Sequence, residues 1–185
     1  MKKLALQSLA QTHHLVNQPS FRDLSPESPA LEVFSDLKHN LPLIMDMNTK
    51  AIDAEKLMKY SHSDLKLVVD TKGHFLGLIS IDDLNEQEMM KHISYDVRRN
   101  DLLLHEFVKP SDTIFALNYG EIKRANIKDV VKILKESGQS YCLVTEQDGT
   151  ICGIISAKSI AKKLNLSLQI EPKPNFASIF GALHH

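Results

Sequence analysis

Apolar residues recur along this chain in short runs and at helical spacing, and polar turns separate them. In the first half, apolar runs at residues 41–45, 65–69 and 75–79 predict three β-strands, because aliphatic and β-branched residues suit a largely buried sheet. Between the first two runs, apolar residues three and four positions apart predict an amphipathic helix. The residues of that helical face are Ala51, Ala54, Leu57 and Met58.

A second helix is predicted to follow the third strand of this half. Gly73 marks the tight turn between the second and third strands, and Ser80 is the expected N-cap of the helix. Its inward-facing residues are expected to be Ile81, Leu84 and Met89 or Met90. The first half therefore has the order strand, helix, strand, strand, helix.

The second half repeats this order about 76 positions later. Residues 114–117, 141–145 and 150–155 predict the strands, and Gly138 predicts a left-handed stop after the first helix. Ser156 opens the last helix. The two helical faces comprise Ile127, Val130, Val131 and Leu134, then Ala157, Ile160, Ala161 and Leu164.

The two halves are similar in sequence as well as in pattern. Aligned without gaps, residues 35–84 and 111–160 share thirteen identical positions in fifty, where average composition gives roughly three. The shared positions include the turn glycine, a second glycine four residues later, and the serine that precedes the last helix of each half. The chain is therefore predicted to be an internal duplication.

Each half ends in a turn, a glycine, two apolar residues and a serine, as in residues 70–83 and 148–156. Two such units at one spacing resemble a tandem pair of CBS domains, a Bateman module. The resemblance implies an α+β fold in which two βαββα repeats pack with pseudo-twofold symmetry. The expected segments are an N-terminal helix and linker at 1–30, with the helix at 4–15, the repeats at 31–95 and 104–166, and a C-terminal tail at 167–185.

The resemblance also implies a function. Such pairs bind AMP, ADP, ATP or S-adenosylmethionine in clefts between the repeats, as regulatory ligands rather than required cofactors, and commonly regulate a partner protein. We therefore expect a stand-alone regulatory protein that binds an adenosyl ligand, forms a homodimer and signals to an unidentified partner. The alternative is a ligand-free dimerisation or scaffold module.

In the first repeat, Ser80 and Asp83 are the candidate ligand-binding residues. A helix that begins at Ser80 would present free backbone N–H groups to a phosphate, and the Ser80 hydroxyl could add a hydrogen bond. The Asp83 carboxylate, one turn further, could accept hydrogen bonds from both ribose hydroxyls. The same Ser-x-x-Asp spacing is also close to a capping box, which needs no ligand. Backbone groups at Leu43, Ile44 and Val68 could then contact the adenine.

The second repeat departs from this pattern. Ser156 is present, but Ser159 stands at the acidic position, and a hydroxyl makes weaker hydrogen bonds to ribose than a carboxylate does. Lys158, beside it, could attract a phosphate. We therefore expect the Asp83 cleft to be the better nucleoside site. The tail segment 176–183 is expected to form an apolar helix that docks on the body of the protein or on a partner.

Composition and charge exclude several functions. The net charge of −1 and the pI of about 6.7 give no overall attraction to nucleic acid or to an acidic membrane surface. No apolar run is long enough to span a membrane or to act as a signal peptide, and Cys142 and Cys152 suggest reduced thiols, so the expected location is the cytoplasm. No catalytic or metal-binding motif is found, so we do not expect an enzyme.

Overall fold

The computed structural model describes residues 24–37, 44–166 and 174–184. The predicted helix at residues 4–15 and the first residues of the strand predicted at 41–45 lie outside these ranges. The strands are β1 (Phe34–Asp36), β2 (Ile44–Asp46), β3 (Leu65–Val69), β4 (Phe75–Ser80), β5 (Lys109–Pro110), β6 (Ala116–Asn118), β7 (Tyr141–Thr145) and β8 (Ile151–Ser156). The α-helices are α1 (Ala51–Tyr60), α2 (Glu86–His92), α3 (Tyr119–Ile122), α4 (Ile127–Leu134), α5 (Ala157–Lys163) and α6 (Phe176–Ala182).

The strands form two four-stranded sheets, one for each repeat. The order is β2-β3-β4-β5 in the first sheet and β1-β8-β7-β6 in the second. In each sheet a parallel pair, β2 with β3 or β6 with β7, adjoins an antiparallel hairpin. The predicted α+β fold of two repeats is therefore confirmed.

Each sheet takes one outer strand from the first residues of the other repeat. Strand β1 pairs antiparallel with β8, and β5 pairs antiparallel with β4. Two glycines at equivalent positions of the duplication allow this close approach. A Cβ added at Gly77 would lie 2.0 Å from the carbonyl oxygen of Lys109, and one at Gly153 would lie 2.0 Å from Cε2 of Phe34.

Apolar side chains fill three layers. One cluster lies beneath the helices of each repeat, and a third lies between the two sheets. Successive side chains along a strand point to opposite faces of the sheet, so neighbouring residues belong to different clusters. Leu67 faces the other repeat, whereas Val68 faces the helices of its own repeat. The buried residues of the layer between the sheets are Leu65, Leu67, Leu78, Leu143 and Ile154.

The amphipathic pattern predicts α4 well, because all four of its apolar-face residues are buried. For α1 the prediction was wrong at Leu57, which is 52% exposed. A helix turns about 100° per residue, so Leu57 falls beside the buried Met58 rather than on the same face. Met89 is buried and Met90 is 60% exposed for the same reason.

Two other boundaries differ from the predictions. The chain after Ser80 forms a four-residue 3₁₀ helix, Ile81–Leu84, and α2 begins only after Asn85, whose side chain caps it by accepting a hydrogen bond from the Glu88 N–H at 2.9 Å. The strand predicted at residues 114–117 begins at Ala116 instead.

The predicted tail helix is α6, and it packs against its own chain. Phe176 and Ile179 are fully buried in the cluster that contains α4 and α5. The backbone N–H of Phe176 donates to the carbonyl oxygen of Gln139 at 3.0 Å, which ties the start of α6 to the loop before β7. Among the described helices, none is both long and apolar enough to cross a membrane.

Candidate functional site

A cavity of about 280 Å³ opens between the two repeats, where the end of β4 faces the start of β7. Both apolar and polar residues line it. On one side these are Leu65, Leu78 and Ser80 of the first sheet, Asp83 of the 3₁₀ helix that follows β4, and Lys109 of β5; on the other they are Thr113, Ile114, Gly138, Gln139, Ser140 and Tyr141 of the second repeat. The structure thus brings the predicted pair Ser80 and Asp83 to a cavity that both repeats build.

The Asp83 carboxylate is held by the residue at which β4 ends. Its Oδ2 accepts hydrogen bonds from the Ser80 backbone N–H at 2.8 Å and from the Ser80 hydroxyl at 2.5 Å. Its Oδ1 lies 3.3 Å from Nζ of Lys109. A carboxylate offers about four lone-pair positions, so Oδ2 is saturated and Oδ1 keeps room for one further donor.

These contacts change the expectation for phosphate. The Ser80 hydroxyl donates to Asp83, and Ser80 is only 4% exposed. The helix that follows is a single 3₁₀ turn, so few aligned peptide dipoles point at the cavity. The capping-box interpretation of this spacing describes the observed hydrogen bonds, and a phosphate contact at Ser80 stays a prediction.

The opposite wall comes from the second repeat. Gly138 adopts a left-handed conformation with φ of 64°, which turns the chain from the helical region into β7 and brings Gln139, Ser140 and Tyr141 to the cavity. Burial, together with the nearby charges of Asp64, Asp82 and Asp83, raises the pKa of the Tyr141 phenol to about 12. Sequence reasoning missed this wall, because the packing of one repeat against the other brings residues 138–141 to Asp83.

Of the three positions predicted to contact adenine, the two that the structure describes lie away from the cavity. Leu43 is outside the described residues. Ile44 lies on the outer strand of its sheet and is 51% exposed, and Val68 is fully buried beneath the helices. Neither Ile44 nor Val68 is among the described residues that line the cavity, because the wall facing Asp83 belongs to the other repeat.

The predicted residues of the second repeat also have partners. The Ser156 hydroxyl caps α5 by accepting a hydrogen bond from the Ser159 N–H at 3.0 Å. Nζ of Lys158 lies 2.7 Å from Oδ2 of Asp64, so this ion pair joins the two repeats. In the duplication, Lys158 is equivalent to Asp82 and Ser159 to Asp83. Their role as ligand contacts stays a prediction.

In the described part of the chain, no three His, Cys, Asp or Glu side chains come together in a way that could hold a metal ion. Cys142 and Cys152 are both buried and not joined to each other. Burial raises the pKa of the Cys142 thiol to about 12, so this sulfur stays protonated at neutral pH.

A model of the CBS domain family matches residues 35–88 and 123–166, which together make up more than half of the chain. No curated protein matches the sequence. Several solved structures have the same fold. An uncharacterized conserved protein from Pyrococcus horikoshii has a TM-score of 0.57 at 14% identity, over 80% of this chain and 99% of that one.

Two further solved structures name the domain or a ligand. A CBS domain protein from Streptococcus pneumoniae TIGR4 has a TM-score of 0.51 at 22% identity, over 74% of this chain and 82% of that one. CBSX2, solved in complex with AMP, has a TM-score of 0.51 at 19% identity, over 73% of this chain and 94% of that one. At these sequence identities the likeness shows a shared fold and nothing more.

Proposed function

The chain belongs to the CBS domain family, and from this premise we propose that it is a stand-alone regulatory module that binds an adenosyl ligand in the cavity between its repeats. One observation carries the proposal: the Asp83 carboxylate lines a cavity that both repeats enclose. The complex of CBSX2 with AMP, a protein of the same fold, supports an adenine compound as the ligand.

The described residues support binding of a base and a ribose. The remaining lone pair on Oδ1 of Asp83 would accept a hydrogen bond from one ribose hydroxyl, and a second hydroxyl would be bound if Lys109 moved away. Leu65, Leu78 and Ile114 supply apolar surface for a base, and the Tyr141 ring adds an aromatic face.

Binding at this position would act on both repeats at once. The ligand would contact the first repeat through Asp83 and the second through residues 138–141, so it would favour the arrangement of repeats that suits both contacts. An unidentified partner protein in the cytoplasm would respond to that arrangement. Because Ser159 lacks a carboxylate, we propose that the equivalent position of the second repeat binds nucleosides more weakly.

A second candidate function is a ligand-free dimerisation or scaffold module. Leu57 on α1 and Ile133 on α4 stand at equivalent positions of the duplication, and they are 52% and 65% exposed. Such a symmetric pair of apolar side chains favours contact with another copy of this chain. A homodimer is compatible with either function.

Thermal unfolding separates the two candidates. A ligand bound only by the native state raises the melting temperature, so adenosine, AMP, ADP, ATP, S-adenosylmethionine and NAD are each added in excess. We expect a rise with at least one adenosyl ligand, and its loss in Asp83→Asn and Asp83→Ala. No rise with any of them would support the scaffold.

A matched control distinguishes the effect of removing a capping carboxylate from the effect of removing a ligand contact. Asp129 makes the corresponding contact at the start of α4, where its Oδ2 accepts a hydrogen bond from the Asn126 N–H at 3.1 Å. Asp129 does not line the cavity in the described structure. Asp129→Asn should therefore retain the rise in melting temperature that Asp83→Asn loses.

A further inference from the structure

The cavity has few groups that could bind a phosphate chain. Lys109 is the one cation among the described residues that line it, and its Nζ already faces Asp83. The Ser80 N–H and hydroxyl both donate to Asp83. Phosphate sites in proteins use clustered cations or free backbone N–H groups at the start of a helix, and the single 3₁₀ turn after Ser80 supplies neither.

The charges beside the cavity are mainly negative. Asp64, Asp82 and Asp83 all lie close enough to Tyr141 to oppose ionisation of its phenol. Two lysines stand against them, Lys109 beside Asp83 and Lys158 beside Asp64. Of these five groups only Asp83 and Lys109 line the cavity. A phosphate chain that extended beyond the cavity would approach more carboxylates than lysines, and both lysines are already paired with carboxylates.

The size of the cavity is also informative. Ligand pockets commonly measure about 300–1,000 Å³, and this cavity, at about 280 Å³, lies at the lower limit. It has room for a base and a sugar. A chain of phosphates would have to extend out of the cavity.

We infer that this cavity selects a nucleoside whose 5′ group carries no phosphate charge and discriminates against nucleoside di- and triphosphates. The inference rests on the proposed function and narrows its ligand class. The shared chemistry is an adenine base and a ribose diol with a neutral or cationic 5′ substituent, which includes adenosine, 5′-methylthioadenosine and S-adenosylmethionine.

Calorimetric titration of the full chain tests this inference. Dissociation constants are measured for adenosine, 5′-methylthioadenosine, S-adenosylmethionine, AMP, ADP and ATP at low ionic strength without divalent cations. The unphosphorylated compounds should bind more tightly than ATP by on the order of tenfold, which corresponds to about 1.4 kcal/mol. Raising the salt concentration should reduce this ratio, because salt screens charge repulsion near the surface.

A charge variant tests the cause. Asp82→Asn should reduce the ratio between adenosine and ATP, whereas Asp53→Asn, on the exposed side of α1 with its side chain 63% exposed, should leave it unchanged. If Asp82→Asn does not fold, the salt series in the unaltered protein still tests whether charge repulsion sets the ratio between adenosine and ATP.

The outcomes separate the inference from the proposed function. AMP, ADP or ATP binding as tightly as adenosine, or more tightly, would overturn the inference and leave the proposed adenosyl site in place. Binding of none of the six compounds would overturn both.

Discussion

Lys109 and Asp83 form an ion pair, with Nζ to Oδ1 at 3.3 Å, that joins the connection between the repeats to the candidate ligand site. Lys109 belongs to β5, the short edge strand at the start of the second repeat that completes the sheet of the first. Its ammonium occupies the place on the carboxylate that the second ribose hydroxyl of the proposed ligand would need. Such a ligand would therefore compete with the lysine for Asp83.

The variant Lys109→Met tests this competition. Removal of the ammonium frees Oδ1, so the affinity for adenosine should rise between about 1.4-fold and fivefold, the range given by an exposed ion pair worth about 0.2–1 kcal/mol. Calorimetric titration with adenosine measures the change. Lys56→Met on the exposed face of α1 is the matched control and should change nothing. Weaker binding in Lys109→Met would mean that Lys109 assists the ligand.

The glycine beneath β5 should control both stability and this ion pair. A Cβ at Gly77 would lie 2.0 Å from the Lys109 carbonyl oxygen and 2.7 Å from Cγ1 of Val108, so Gly77→Ala must push the edge strand away. We expect a loss of about 1–3 kcal/mol in the free energy of unfolding, the usual cost of overpacking. Urea denaturation measures it.

Gly181 supplies the control for that substitution. It lies in α6, and a Cβ added there meets nothing within 4 Å. Gly181→Ala should stabilise the protein by up to about 1 kcal/mol, because alanine favours a helix more than glycine does. Equal effects of the two substitutions would contradict the packing described for Gly77.

Tyr141 should make stability depend on alkaline pH. Burial raises the pKa of its phenol from 10.0 to about 12, with the nearby carboxylates of Asp64, Asp82 and Asp83 adding to the rise. The unfolded chain then loses its phenol proton before the native chain does. The stabilisation is fully present below pH 10 and is lost as the pH rises towards 12.

Urea denaturation at pH 9, 10 and 11 checks this sign. The free energy of unfolding of the unaltered protein should fall more steeply over this range than that of Tyr141→Phe. The comparison with Tyr141→Phe removes the contributions of other groups, including the Cys142 thiol, whose pKa is also raised by burial. Parallel pH profiles of the two proteins would refute the assignment.

The C-terminal helix should contribute strongly to stability. Phe176 is fully buried against the core of the second repeat, and truncation of a buried phenylalanine costs about 3–5 kcal/mol. Phe176→Ala should therefore lower the free energy of unfolding by this amount in urea denaturation. Tyr95→Ala, at a fully exposed aromatic residue, should change it by no more than about 0.5 kcal/mol. A small effect of Phe176→Ala would mean that α6 is not held on the core.

Sequence patterns predicted most of the elements because short-range physics decides them. The hairpin turns at Gly73 and Gly149 require positive φ, and both glycines have it, at 83° and 85°. The face of α4 follows from the spacing of four apolar residues. The α-helix predicted to begin at Ser80 begins instead after Asn85, whose extended backbone ends the first turn and whose side chain caps α2, a break that periodicity does not show.

The candidate site was only half predictable. Ser80 and Asp83 were found because a local motif carries them, and they do line the cavity. The wall formed by residues 138–141, and the approach of Lys109 to Asp83, depend on how the repeats pack and on the exchange of edge strands. Both are long-range features, and no spacing along one repeat encodes them.

The sequence by itself determined the duplication, the order of strands and helices in each half, and the pairing of a serine with an acid at the end of the first repeat. These depend on the periodicity of apolar residues and on turn chemistry, which act over a few positions. The tertiary structure alone decided which residues face Asp83 and which hydrogen bonds its carboxylate makes. Two sheets that pack face to face bring together residues about 60 positions apart, such as Ser80 and Tyr141, through burial of apolar surface that is shared by both repeats.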